Sequence, residues 1–142
     1  MMRESIWLTC AAINVGIALL HIYIIFKGAP AYRYFGAGEW MASKSETGSL
    51  IPALVTWAVT FAFFAFACFN LAGAKIISLP FTFYVLAAIS AIYILRGAVV
   101  FAIPFMTAEV SAFDKISSYL ALVIGVLHAA GSYMLFIERA SR

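Results

Sequence analysis

Residues 51–74 read IPALVTWAVTFAFFAFACFNLAGA, and no charged residue interrupts them. A helix rises ~1.5 Å per residue, so about 20 apolar residues span ~30 Å of hydrocarbon. A barrel strand would be half as long and would alternate in polarity. The run therefore reads as a transmembrane helix. Working outward, three more apolar segments appear: Ile6–Phe26 before it, then Ile77–Phe105 and Tyr119–Ile137. In lipid each backbone polar group must be satisfied within its own segment, which favours helices. The expected fold is all-α: one membrane domain over residues 1–142, a bundle of four transmembrane helices at about 6–26, 51–74, 77–105 and 117–137.

Composition agrees. The chain has 142 residues, 65% hydrophobic and 11% charged, with a mean hydropathy of +1.04. A soluble domain is ~45–50% apolar and ~25% charged. A soluble globular domain, a disordered chain, a collagen and a disulfide scaffold are excluded. The formal net charge is +3, but the nine Lys and Arg are scattered. Such residues read as loop contacts to anionic headgroups, with the lipid bilayer as partner and no nucleic acid. Cys10 and Cys68 sit singly in apolar runs without a C-x-x-C, so both read as small packing residues. No removable signal is expected, because the first apolar run is too long for a signal-peptide core.

The connections are unequal. A tight turn at Gly73-Ala74-Lys75 predicts that the second and third helices are antiparallel neighbours. Pro80 and Pro104 bracket the third helix, and residues 106–118 with Glu109, Asp114 and Lys115 lead to the fourth. Ser49, before Ile51-Pro52, is placed to cap the second helix. Small residues four apart, among them Ala121 and Gly125, predict close helix approach. Arg3, Lys75, Arg139 and Arg142 fall on the side of the termini, against Lys27, Arg33, Lys44 and Lys115 on the other. If Lys27 and Arg33 are structural, the balance places the termini in the cytoplasm.

Three ionisable residues lie inside the spans: His21, Arg96 and His128. A central Arg costs about 2.5–3.5 kcal/mol on insertion scales, so such groups usually face the bundle interior and mark function. His21 and Arg96 each lie ~7 Å from the midplane, toward the first loop. Thr56 and Thr60 share that half, His128 is near the middle, and Tyr93 shares a helix face with Arg96. The expectation is one polar cavity on the first-loop side, set against snorkelling of Arg96 and simple structural roles for the histidines.

The first loop, KGAPAYRYFGAGEWMASKSETGSL over residues 27–50, is long for so small a bundle. Tyr32, Tyr34 and Trp40 suit the membrane interface, and 38–46 is expected to form a short interfacial helix. The loop is expected to lid the cavity, with Glu39 as partner of Arg96 or Arg33.

The first helix runs into Phe26-Lys27-Gly28-Ala29-Pro30, and the aromatic loop reaches Tyr34-Phe35-Gly36. In these segments and in its four-span architecture the chain resembles the DoxX-like small bacterial membrane proteins. That resemblance implies a bacterial inner-membrane location and a redox or lipid-related role, and assigns no catalytic residue.

Several functions fit these residues. In the first, His21, Arg96, His128, Thr56, Thr60, Tyr93, Glu39, Tyr32, Tyr34 and Trp40 line a site for an amphipathic anionic small molecule, lipid or quinone. In the second, His21 and His128 are the axial ligands of a haem b. In the third, a histidine serves as acid or base beside Arg96 in a membrane enzyme. In the last, the chain is an accessory subunit or homo-oligomer whose polar residues meet a partner.

Overall fold

The structure, a computed structural model, describes residues 2–105 and 110–141, so Glu109 and Arg142 lie outside the described residues. Its long helices are α1 (Met2–Lys27), α4 (Ile51–Gly73), α5 (Thr82–Ala102) and α6 (Ala112–Ala140). The first loop folds into α2 (Ala29–Tyr34) and α3 (Glu39–Glu46). All four long helices are long and apolar enough to cross a membrane. Large side chains such as Leu19, Leu54, Phe61, Leu95, Phe101 and Leu120 are exposed around the outside. Such a belt would be untenable in water and is matched by lipid. The chain is a multi-pass membrane protein.

Two groups of contacts fix the topology. Glu138 near the end of α6 pairs with Arg3 at the start of α1 and with Lys75 in the α4–α5 connection (2.6 Å). These mark the terminal end. At the opposite, loop end, the Tyr32 and Thr56 hydroxyls are hydrogen-bonded at 3.3 Å, joining α2 to α4. The Phe35 and Phe113 rings meet at 5.1 Å there, joining the loop to α6. The bundle therefore runs up, down, up, down.

Packing is pairwise: α1 lies along α4, α5 along α6, and the two pairs touch more sparsely. This revises the expected neighbours. The second and third spans, α4 and α5, do meet, but each has its main partner elsewhere. The cause is visible at two glycines. A Cβ at Gly97 would collide with the backbone of Leu122, and one at Gly125 would lie 2.8 Å from the Ile94 nitrogen. Only glycine lets these backbones approach so closely.

Helix ends differ from the apolar runs for local reasons. The third span begins at Thr82, not Ile77. Pro80 disfavours helical backbone at the preceding residue, and Phe81 caps the helix in a left-handed conformation (φ 56). At the far end the α-helix stops at Ala102 and tightens to a 3₁₀ turn over Ile103–Phe105, which holds Pro104. The last helix starts earlier than its apolar run. Ser111 caps it, accepting from the Asp114 N–H (3.0 Å) and donating to the Asp114 carboxylate (2.7 Å). Ser49 accepts from the Ile51 N–H (3.3 Å), one residue before the cap position at Leu50.

Candidate functional site

The first loop folds into two short helices, α2 and α3, one element more than expected. Gly28 turns the chain at φ 68, and Pro30 then opens α2, where its missing N–H is harmless. Ala29, Ala31, Tyr32 and Ala42 form a small core with Ile24 of α1, which docks α2 and α3 on the bundle end. Arg33 of α2 clamps both ends of α3. Its guanidinium donates to Glu39 (2.9 and 2.7 Å) and to Glu46 (2.6 and 3.1 Å). Those bonds hold both carboxyls below their ordinary range and push the Arg33 guanidinium up. Glu39 thus pairs with Arg33 and not with Arg96. Tyr34 and Trp40 stand exposed at this end, as interfacial aromatics do.

Arg96 occupies a different setting. It leaves α5 ~6 Å from the helix middle, toward the loop end, and its side chain is exposed beside the lipid-facing Ile92, Leu95 and Val99. Its guanidinium donates to the hydroxyls of Ser118 (2.6 Å) and Ser117 (2.9 Å) on α6. Both hydroxyls donate in turn to the Asp114 carbonyl (2.7 and 3.1 Å). Among the described residues Arg96 makes no ion pair. Two neutral hydroxyls orient the cation, and no described carboxylate pairs with it. Coulomb attraction to an anion at that depth is far stronger than in water.

The histidines are set apart from it and from each other. Each donates its Nδ1–H to the carbonyl one turn back, His21 to Ile17 (2.8 Å) and His128 to Ile124 (2.9 Å). A carbonyl can only accept, so Nε2 of the neutral ring is left as an acceptor. His21 lies against Phe63 of α4 (5.2 Å), and His128 against Tyr93 (5.3 Å) and Trp7 (5.8 Å). Between the two imidazoles runs a chain of rings, Phe63 to Phe66 (5.8 Å) and Phe66 to Tyr93 (6.5 Å). The single His/Arg cavity expected from matched depths is replaced by three separate settings. Rotation about the helix axis was not legible, because apolar residues occupy every face.

Thr56 and Thr60 are buried, but they spend their hydroxyls on the carbonyls of Pro52 (2.7 Å) and Thr56 (2.8 Å). They line the inside of α4 without reaching Arg96.

Further buried polar groups lie at the middle and in the terminal half. At the centre the Tyr93 hydroxyl donates to Asn14 Oδ1 (2.5 Å), and Asn14 Nδ2 donates to the Cys10 carbonyl (2.9 Å). Toward the termini, Trp7 is fully buried in a slot between two glycines. A Cβ at Gly73 of α4 would lie 2.9 Å from its ring, and one at Gly131 of α6 would lie 2.6 Å from it.

No family model, curated protein or solved structure matches the chain.

Sequence reasoning missed Trp7 and Asn70. Asn70 is an amide in an otherwise apolar run, Phe69-Asn70-Leu71, which is the signal that marks a buried partner-seeking group. Trp7 carried no such signal, since a Trp near a helix start reads as an interfacial anchor.

Proposed function

We propose that this is a bacterial inner-membrane protein that binds the anionic head of an amphipathic molecule at Arg96, Ser117 and Ser118, on the outer face of the α5–α6 pair. One observation carries the reading: an intramembrane guanidinium that is oriented by two hydroxyls, exposed toward lipid and unmatched by any described carboxylate. The apolar Ile92, Leu95 and Val99 beside it offer a surface for an acyl or isoprenoid tail. Membership of the DoxX-like group and cytoplasmic termini belong to the same proposal. With that orientation the Arg96 site opens to the outer leaflet, and a reporter fused to the C-terminus checks it by its side of activity.

The test is thermal unfolding of the detergent-purified protein with added phosphatidylglycerol or phosphatidylcholine. Phosphatidylglycerol is expected to raise Tm well above phosphatidylcholine, and Arg96→Ala to abolish the difference. An equal phosphatidylglycerol effect in wild type and Arg96→Ala reduces Arg96 to an interfacial anchor and overturns the reading.

A further inference from the structure

The terminal half of the bundle holds five side chains with buried polar atoms that no described residue satisfies: Arg3 Nε, Trp7 Nε1, Asn70 Nδ2 and Oδ1, His128 Nε2 and Ser132 Oγ. The Arg3 guanidinium is already paired with Glu138 through Nη1, which leaves four uncharged side chains. These four come from three helices, α1, α4 and α6. Trp7 of α1 meets the His128 ring edge-on at 5.8 Å. It is also seated against Gly131, the residue before Ser132, and against Gly73, three residues after Asn70. Trp7, Asn70 and His128 are wholly buried, and Ser132 is 8% exposed.

The chemistry of the orphaned atoms is complementary. Trp7 Nε1–H can only donate. His128 Nε2 is left as an acceptor because Nδ1–H is committed to the Ile124 carbonyl. Yet the indole N–H and the imidazole nitrogen, on touching rings, are not bonded to each other. Asn70 brings a donor and an acceptor, and Ser132 brings both in one hydroxyl. A molecule that accepts from Trp7 and donates to His128, while using Asn70 and Ser132, must be small, neutral and both donor and acceptor. Lipid tails cannot serve.

We propose that these four groups share one hydration site: one or more ordered water molecules bridge Trp7, His128, Asn70 and Ser132 inside the membrane-spanning bundle. Buried waters characteristically make two to four bonds to such otherwise unmatched groups. The entry side is the terminal face. There Ala72, adjacent to Gly73, lines a hollow of about 450 Å³ with Phe81, Thr82, Leu135 and Arg139. The bound water thereby extends the aqueous phase of that face toward His128 and the Tyr93–Asn14 pair at the bundle centre.

Water-edited ¹⁵N NMR of the full chain in lipid vesicles tests this, because it reads magnetisation passed from water to each indole N–H. Trp40, exposed at the loop end, is the hydrated reference. Trp57, stacked on the lipid-facing Phe61, is the dry one. Trp7→Phe assigns its signal. Trp7 is expected to fill at a rate within about twofold of Trp40, and Ser132→Ala with Asn70→Leu to slow it at least fivefold. Ser132→Ala alone, the milder change, is expected to slow it measurably. A wild-type Trp7 signal that fills no faster than Trp57 overturns the proposal. So does a Trp7 rate that is unchanged in both variants.

Discussion

The two halves of this bundle handle polar groups differently. At the loop end, charges sit on the outside: Arg33 is clamped by Glu39 and Glu46, and Arg96 stands exposed on two serines. Toward the termini, the uncharged Trp7, Asn70, His128 and Ser132 are buried with polar atoms that no described residue satisfies. A charge is too costly to bury without a matched partner, whereas an amide, an indole or a neutral imidazole needs only hydrogen bonds. Both ends keep their charges at or near the surface, Arg33 and Arg96 at one and the Arg3–Glu138–Lys75 cluster at the other. The difference lies inside, where Thr56, Thr60 and Ser118 of the loop half are hydrogen-bonded and Trp7, Asn70, His128 and Ser132 leave polar atoms unmatched.

The largest expected effects come from glycines, one in each half. At the loop half, Gly97→Ala drives a methyl into the Leu122 backbone, and overpacking of this kind costs ~1–3 kcal/mol, with this site at the upper end because backbone cannot step aside. At the terminal half, Gly131→Ala meets the Trp7 ring at 2.6 Å, which a side chain relieves partly, so ~1–2 kcal/mol is expected. Reversible unfolding in mixed micelles measures both. Gly16→Ala, with nothing within 4 Å, serves as the control and is expected to be neutral or slightly stabilising.

Next in size is the central hydrogen bond. Tyr93→Phe leaves the buried Asn14 Oδ1 without its donor and is expected to cost about 1 kcal/mol in the same assay, in line with hydrogen bonds between membrane helices. Glu138→Gln weakens the contacts to Arg3 and Lys75 at the partly exposed terminal end. It is expected to cost ~0.5 kcal/mol, shrinking further at high salt.

The smallest effect concerns the exposed first loop. Glu39 and Glu46 have carboxyls lowered first by their hydrogen bonds from Arg33. A lowered carboxyl contributes stability above its unfolded pKa, and that contribution is lost as pH falls through the folded one. Trp40 fluorescence, reporting on α3, is therefore expected to hold steady from pH 7 to about 5 and to change only below ~4.3, the ordinary Glu value. Arg33→Gln is expected to move that change up into the ordinary carboxylate range. An unmoved transition would show that the clamp does not order the loop.

Much of the fold was legible in the sequence. Uncharged runs of membrane length are nearly unambiguous, and α4 follows its run almost to the residue. Helix ends at Pro80 and Ser111 were set by local backbone chemistry, to which hydropathy is blind. The site was legible only in part. Arg96 was found because a charge inside a span always stands out, and Arg33 with Glu39 followed from proximity in one loop. Which helices pair was hidden, because that depends on single glycines such as Gly97. The Trp7–Asn70–His128–Ser132 group was hidden too, since its members lie far apart in sequence and carry no charge.

The central functional claim is that Arg96 meets an anionic headgroup. The most direct measurement is the distance from its guanidinium carbon to lipid phosphorus, by ¹³C–³¹P solid-state NMR in phosphatidylglycerol bilayers, with Arg96→Ala identifying the signal. Strong dipolar dephasing is expected at Arg96, corresponding to direct guanidinium–phosphate contact of roughly 4 Å, the reach of a charge-assisted hydrogen bond. An Arg96 signal with no phosphorus dephasing in those bilayers would contradict that claim.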